Sequence, residues 1–141
     1  MSKYLVVLAG PTASGKTTVA IKLAQAFETV VFSADSRQFY REIPIGTAAP
    51  TAEEQRQARH LFVGNLSIYD KYDVADYERE ATLKLNDYFK MHDVVVMTGG
   101  SGLFIEAVCN GIDEIPDISP ENRKIVSDLY ENGGLLALQS E

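Results

Sequence analysis

The segment Gly10-Pro11-Thr12-Ala13-Ser14-Gly15-Lys16-Thr17 reads G-x-x-x-x-G-K-T and directly follows the apolar run Tyr4-Leu5-Val6-Val7-Leu8-Ala9. Such a loop belongs between a buried strand and a helix, so the pattern points to an α/β architecture. The glycines let successive backbone N–H groups turn inward around an anion. The loop also feeds a helix N-terminus, whose partial positive charge favours phosphate. Lys16 adds a mobile point charge for terminal phosphate oxygens, and the Thr17 hydroxyl is suited to ligate Mg²⁺. All residues from Gly10 to Thr17 are therefore expected to line a site for a di- or triphosphate. Correct flanks on both sides separate this pattern from a chance glycine-rich turn.

Strand-like runs are predicted at Tyr4–Ala9, Thr29–Ser33, Ile43–Gly46, Leu61–Leu66 and Asp93–Thr98. Val30-Val31-Phe32 and Val94-Val95-Val96-Met97 are continuous and β-branched, as central parallel strands are. Helices are predicted between them. Lys16–Phe27 carries Val19, Ala20, Leu23 and Phe27 at helical spacing, and Thr51–Arg59 opens with a capping box from Thr51 to Glu54. Val74–Phe89 places Val74, Tyr77, Ala81, Leu85 and Tyr88 down one face, and a further helix is predicted from Leu103 to Cys109. This alternation implies a P-loop-type fold, a mostly parallel sheet flanked by helices.

Beyond a connector at 111–119 that contains Pro116, Ser119-Pro120 begins a helix predicted to reach Glu131 and stop at Asn132-Gly133-Gly134. Leu135–Glu141 reads as the first turns of another. We divide the chain into an α/β core over 1–115 and the beginning of a helical region over 116–141. The last helix opens with nothing to pack on, so the chain is expected to be part of a longer protein.

At 141 residues the chain is about one domain long. No stretch approaches the roughly 20 apolar residues of a membrane span, and Tyr4–Ala9 is too short for a signal-peptide core. A single cysteine, Cys109, rules out an intramolecular disulfide framework and suits a reducing cytosol. Cys109, His60 and His92 lack metal-ligand spacing and read as structural. The net charge of −7 argues against a nucleic-acid partner on its own, while leaving room for a local basic strip.

Mg²⁺-dependent hydrolysis of a nucleotide usually needs a carboxylate at the end of a second apolar strand. Here Asp93–Thr98 runs into Thr98-Gly99-Gly100-Ser101 with none, and no N-K-x-D guanine motif is present. The carboxylate instead follows the strand at Thr29–Ser33, in Ser33-Ala34-Asp35-Ser36-Arg37-Gln38. Ligands bind at the C-terminal edge of an open α/β sheet, where the Gly10–Thr17 loop also lies. Asp35 is thus placed to accept a proton from a nucleophile attacking the bound substrate. Asp35-Ser36 reads equally as a helix N-cap pair.

These residues carry a resemblance. Gly10–Thr17, Asp35-Ser36-Arg37-Gln38-Phe39-Tyr40 and Ile45-Gly46-Thr47-Ala48-Ala49-Pro50-Thr51 resemble the tRNA dimethylallyltransferase family. So do Arg59-His60-Leu61, Tyr72-Asp73-Val74-Ala75-Asp76-Tyr77, Gly99-Gly100-Ser101-Gly102-Leu103-Phe104 and Gly111-Ile112-Asp113-Glu114-Ile115-Pro116, in the same order along the chain. The resemblance implies transfer of a dimethylallyl group from dimethylallyl diphosphate to N6 of the adenosine following the anticodon of a tRNA. It implies Asp35 as the proton acceptor, with Lys16 and Mg²⁺ on Thr17 neutralising the leaving diphosphate and Thr12 steadying the reacting groups. The target base must leave its stack. Asp35, Ser36, Arg37 and Gln38 are implied to contact the extruded adenosine, and Ser101 and Arg123 the tRNA. The helical region is implied to begin the insertion that clasps the anticodon stem, in a cytoplasmic, monomeric enzyme with no membrane partner.

Other readings stand beside these. Gly99-Gly100-Ser101 is also a plain tight turn, Arg123 also a solvated helix residue, and Tyr40, Tyr72 and Tyr77 read as packing. Gln38 and Thr47 are candidate pocket residues. The chain departs from the family pattern at Ala49 (for lysine), Gly64 (for aspartate), Ser101 (for threonine) and Phe104 (for tyrosine), and it is about half the family's length. The implied remainder would carry further strands, basic surface and an arginine for the diphosphate. The main alternative is a P-loop small-molecule or nucleotide kinase binding ATP. A further one is a non-catalytic phosphate-binding fragment.

Overall fold

The computed structural model describes residues 2–113 and 116–140. Glu114 and Ile115 of the connector motif, and Glu141 of the last predicted helix, lie outside the described residues. The elements are β1 (Tyr4–Ala9), α1 (Lys16–Ala26), β2 (Val31–Ser33), α2 (Ala52–Gln57), β3 (His60–Leu61), α3 (Val74–Tyr88), β4 (Val94–Gly99), α4 (Gly102–Asn110) and α5 (Pro120–Ser140). Four parallel strands form one sheet in the order β1-β4-β2-β3. The two apolar runs singled out by sequence, β2 and β4, are its central strands, and no described helix is long and apolar enough to cross a membrane.

Side chains alternate across these strands and build a core on each face. On one face Val31 and Val96 meet Ala20, Ile21 and Ala24 of α1. On the other, Phe32, Val95 and Met97 meet Tyr77, Ala81 and Leu85 of α3, with Phe39, Phe62 and Phe104 packed around them. The expected stripe on α1 is corrected. Val19 and Phe27 are about half exposed, at 47% and 48%, and the buried edge is Ala20, Ile21 and Ala24. Two alanines bring the helix axis close to the β-branched sheet surface, which a Val19–Leu23–Phe27 face would hold away.

Two predicted strands are also corrected. Ile43–Gly46 is a turn, closed by the buried Thr47 hydroxyl, which donates to the carbonyls of Ile43 (3.0 Å) and Pro44 (3.2 Å). Pro44 has no N–H to offer a ladder. Leu61–Leu66 keeps only β3, because Phe62 and Gly64 take left-handed φ values of 61° and 60° and Leu66 returns to bridge Tyr40. A left-handed non-glycine residue costs about 1–2 kcal/mol. Burying the Phe62 ring against Phe32, at 5.6 Å, and Tyr77, at 4.9 Å, offsets this with roughly 1.5–3 kcal/mol.

The predicted capping box holds both ways at α2, where Thr51 accepts from the Glu54 N–H and Glu54 accepts from the Thr51 N–H. A second box opens α3: Asp73 accepts from the N–H groups of Ala75 and Asp76, and Asp76 returns the contact. Its sequence signal is the same spacing with aspartate where glutamate is usual. Asn122 N–H bonds the Ser119 hydroxyl ahead of Pro120, as the cap prediction requires. The predicted stop appears as a break at Gly134 (φ 62°, ψ −160°), which divides α5 into two helical pieces. Tyr77 is fully buried, while Tyr72 and Tyr40 are partly exposed, with Tyr72 edge-on to Phe39.

The strand ends are held by a close crossing. A Cβ added to Gly99 would fall 2.2 Å from the Ala34 carbonyl oxygen, whereas one on Gly100 would meet only ordinary contacts, the nearest at 3.5 Å. Gly99→Ala is therefore expected to destabilise the fold by on the order of 3 kcal/mol or more, read as a lower urea midpoint, with Gly100→Ala close to wild type. Asp73→Ala should cost about 1–2 kcal/mol in the same measurement and Asp73→Ser much less. Equal midpoints for alanine and serine would remove the cap as the cause.

Candidate active site

The C-terminal edge of the sheet is woven by backbone hydrogen bonds. Gly10 N–H donates to the Gly99 carbonyl at 3.3 Å, Ala34 N–H to Thr98 at 2.8 Å, and Ser101 N–H to Ala34 at 3.2 Å. The ends of β1, β4 and β2 thus deliver Gly10, Gly99-Gly100-Ser101 and Asp35 to one place. Sequence placed these segments on the same edge, and here they meet.

In the Gly10–Thr17 loop, Ala13 and Gly15 take left-handed φ values of 62° and 83° on either side of Ser14. Gly15 is the N-cap of α1 and supplies no side-chain cap, so the first N–H groups of that helix remain for another acceptor. Ser14 Oγ donates to the Pro11 carbonyl at 2.8 Å. The Lys16 ammonium bonds the same carbonyl and lies 3.4 Å from Ser14 Oγ, folded back over the loop.

Asp35 is partly buried, and its Oδ1 accepts from the Arg37 N–H at 3.2 Å. That contact closes a local turn, and no helix follows it, so Asp35-Ser36 is not the helix N-cap pair of the alternative reading. It leaves Oδ2 free to face the strand ends, 3.7 Å from where a Gly100 Cβ would stand. Ser101 is both a turn residue and a wall residue of a cavity at this edge. Its Oγ accepts from the Ser36 N–H at 3.0 Å and lies 3.2 Å from the Ser36 hydroxyl, tying the two loops together.

Two cavities open at this edge. One, of about 300 Å³, is walled by Thr12 to Thr18 together with Ser33, Asp35, Gln38, Ala48, Pro50, Glu54, His60, Thr98 and Gly99. The other, of about 480 Å³, is walled by Pro11, Thr12, Asp35, Ser36, Arg37, Gly46, Thr47, Gly100 and Ser101. Thr12 and Asp35 belong to both. Pro11 to Thr17 and Asp35, Ser36, Arg37, Gln38 and Ser101 are therefore together, whereas Gly10 and Arg123 line neither cavity: the Gly10 N–H is taken by the Gly99 carbonyl, and Arg123 is exposed on α5.

Gln38 has a second task. Its Oε1 accepts from the Ser33 hydroxyl at 3.1 Å, and its Nε2 donates to the carbonyls of Ala48 (3.1 Å) and Thr47 (3.4 Å). The buried Tyr77 hydroxyl donates to the Ser33 carbonyl at 2.9 Å, anchoring β2 just before Asp35. Sequence reasoning missed Ser33, Glu54, His60 and Thr98 as wall residues. His60 was legible only as structural, and its Nδ1 does lie 2.8 Å from the Ala58 carbonyl. Burial lowers its pKa below the usual histidine value. Among the described residues no cluster of three or more His, Cys, Asp or Glu side chains could hold a metal ion. A metal here would rely on the Thr17 hydroxyl and on oxygens of a bound phosphate, as Mg²⁺ commonly does.

The chain is 47% identical to the tRNA dimethylallyltransferase of Flavobacterium johnsoniae over 99% of its length, covering 45% of that protein. It is 47% identical to the tRNA dimethylallyltransferase of Christiangramia forsetii over its whole length, covering 47% of that protein. The full-length tRNA isopentenylpyrophosphate transferase of Bacillus halodurans has the same fold, with a TM-score of 0.76 at 30% identity, covering 99% of this chain and 46% of that one. The chain thus spans a little under half the length of the curated relatives it matches. The model of the IPP transferase family matches residues 38–141, from Gln38 through the Gly99-Gly100-Ser101 loop to α5, and the chain belongs to that family.

Proposed function

We propose that this chain carries the donor-binding and proton-accepting half of a tRNA-modifying prenyltransferase, which moves a dimethylallyl group from dimethylallyl diphosphate to N6 of the adenosine beside the anticodon. One observation carries the reading: Thr12 and Asp35 stand in the wall of both cavities, where a donor on one side and a base on the other would meet.

In this reading the N–H groups from Thr12 through the P-loop and into the first turn of α1 hold the diphosphate, since Pro11 has no N–H and that of Gly10 is taken by the Gly99 carbonyl. Lys16 exchanges the Pro11 carbonyl for a phosphate oxygen. The donor's C–O bond breaks as the N6–C bond forms, and negative charge gathers on the leaving oxygen beside these donors. Asp35 takes the proton that the adenine amine must lose, and Thr12 lies between the reacting groups. Mg²⁺ held through Thr17 would neutralise part of the leaving group's charge. Ser36, Arg37 and Ser101, on the second cavity, fit contacts to the extruded adenosine and its strand. Gln38 fits a strut that shapes the pocket. Residues 116–141 would open the helical insertion, bringing Arg123 to the tRNA in a cytoplasmic, monomeric protein. Other parts of the intact enzyme would supply the basic surface that a chain of net charge −7 lacks.

Labelled dimethylallyl diphosphate and unmodified tRNA, given to the intact enzyme, should yield labelled RNA. Asp35→Asn is expected to lower kcat about 100-fold or more with the donor KM nearly unchanged, since the carboxylate acts on the acceptor's proton. Lys16→Ala should raise the donor KM and lower kcat together. Phosphorylation of a small molecule from ATP without RNA labelling would favour the kinase reading instead.

A further inference from the structure

The turn at 44–48 carries the most exposed large apolar side chain among the described residues, Ile45 at 95%. A single isoleucine in water is ordinary on a protein surface. This one differs in its mounting and its place. The Ile43 and Pro44 carbonyls accept from the Thr47 hydroxyl. The Pro44 carbonyl also accepts from the Ala49 N–H at 3.1 Å, and the Ile45 carbonyl accepts from the Ala48 N–H at 3.2 Å. Pro44 fixes φ one residue earlier, and the Cβ branch of isoleucine leaves its χ1 few choices. Gln38 ties the far side of the turn, at the Thr47 and Ala48 carbonyls, to Ser33 of β2. Ile45 is therefore a stiff apolar stud on a braced turn. The two residues after it, Gly46 and Thr47, stand in the wall of the second cavity with Asp35.

On the reading that the second cavity receives an extruded adenosine, we propose that Ile45 is a positioning residue for the acceptor RNA, a wedge that enters the base stack at the step the target adenosine vacates. Extruding a base uncovers the flat apolar faces of its neighbours, and an apolar side chain inserted at the step covers them and holds the step open. Such a side chain has to be apolar, resistant to being pushed aside, and exposed beside the pocket that takes the base. Ile45 meets all three conditions. A lysine or arginine in its place would draw on the phosphates, with an affinity that falls as salt rises. Isoleucine has no charge to offer, so its contribution goes to opening the stack.

The test uses the intact enzyme, wild type, Ile45→Ala and Ile45→Met, with an anticodon stem-loop RNA. In one arm 2-aminopurine replaces the target adenosine, and its fluorescence rises when the base unstacks. At saturating enzyme, wild type should give a large rise, Ile45→Ala a clearly smaller one, and Ile45→Met most of the wild-type signal. In the second arm, transfer to the unsubstituted stem-loop at saturating dimethylallyl diphosphate should show kcat/KM for RNA lowered about 10-fold in Ile45→Ala, with the KM for the donor unchanged. The melting midpoint of the free enzyme should not move, since the side chain is exposed. An equal fluorescence rise for wild type and Ile45→Ala overturns the inference and leaves the transferase reading standing. So does a lowered melting midpoint, which would place Ile45 beneath another part of the enzyme. Absence of RNA labelling by wild type overturns both.

Discussion

The close approach of Gly99 to Ala34 is the constraint on which the site depends. Parallel strands normally diverge at their C-terminal ends into separate loops. Here β4 ends in a residue with no side chain, and the backbone of Ala34 passes through the space a Cβ would fill. The Ala34 carbonyl can then accept from Ser101 while its N–H donates to Thr98. That stitching places Asp35 beside the loop that follows β1. The arrangement costs roughly 0.5–1 kcal/mol, because a glycine in a strand gives up more backbone freedom on folding than any other residue.

Around that crossing the two faces are built differently. The α1 face is thin, with alanines against valines, so the helix lies close to the sheet and its N-terminus falls at the sheet edge. The opposite face is thick and aromatic, with Phe39 stacked on Tyr77 at 5.2 Å and both rings in contact with Phe62 and Phe104. The Tyr77 hydroxyl emerges from this cluster onto the Ser33 carbonyl, so the aromatic side of the molecule grips the strand that leads to Asp35. Such over-determined support fixes the backbone from which the Asp35 carboxylate projects.

Much of this was legible in the sequence, because the strongest signals were local. The Gly10–Thr17 loop, the β-branched runs of β2 and β4, the Thr51–Glu54 box and the stop at Gly133-Gly134 each act through neighbours a few residues away. What failed depended on distant partners. The burial of Phe62, which bends the chain after β3, is decided by rings from α3 and β2. The α1 stripe rotated because the sheet surface opposite selects small residues, and nothing in Lys16–Phe27 itself states that. Asp35 was found by its place at a strand end, yet its dual part as turn former and cavity wall needed the second strand's glycines. His60 was invisible as a wall residue, since its position comes from pairing with Val31.

The Thr47–Ala48 peptide, held by Gln38, has a mechanical consequence. Ala48 fronts one cavity and Thr47 the other, so a single peptide unit serves as a party wall between two compartments. Because Gln38 also grips Ser33, this wall cannot slide without tugging the strand beneath the carboxylate. The partition between the two rooms is thereby as firm as the strand to which it is tied.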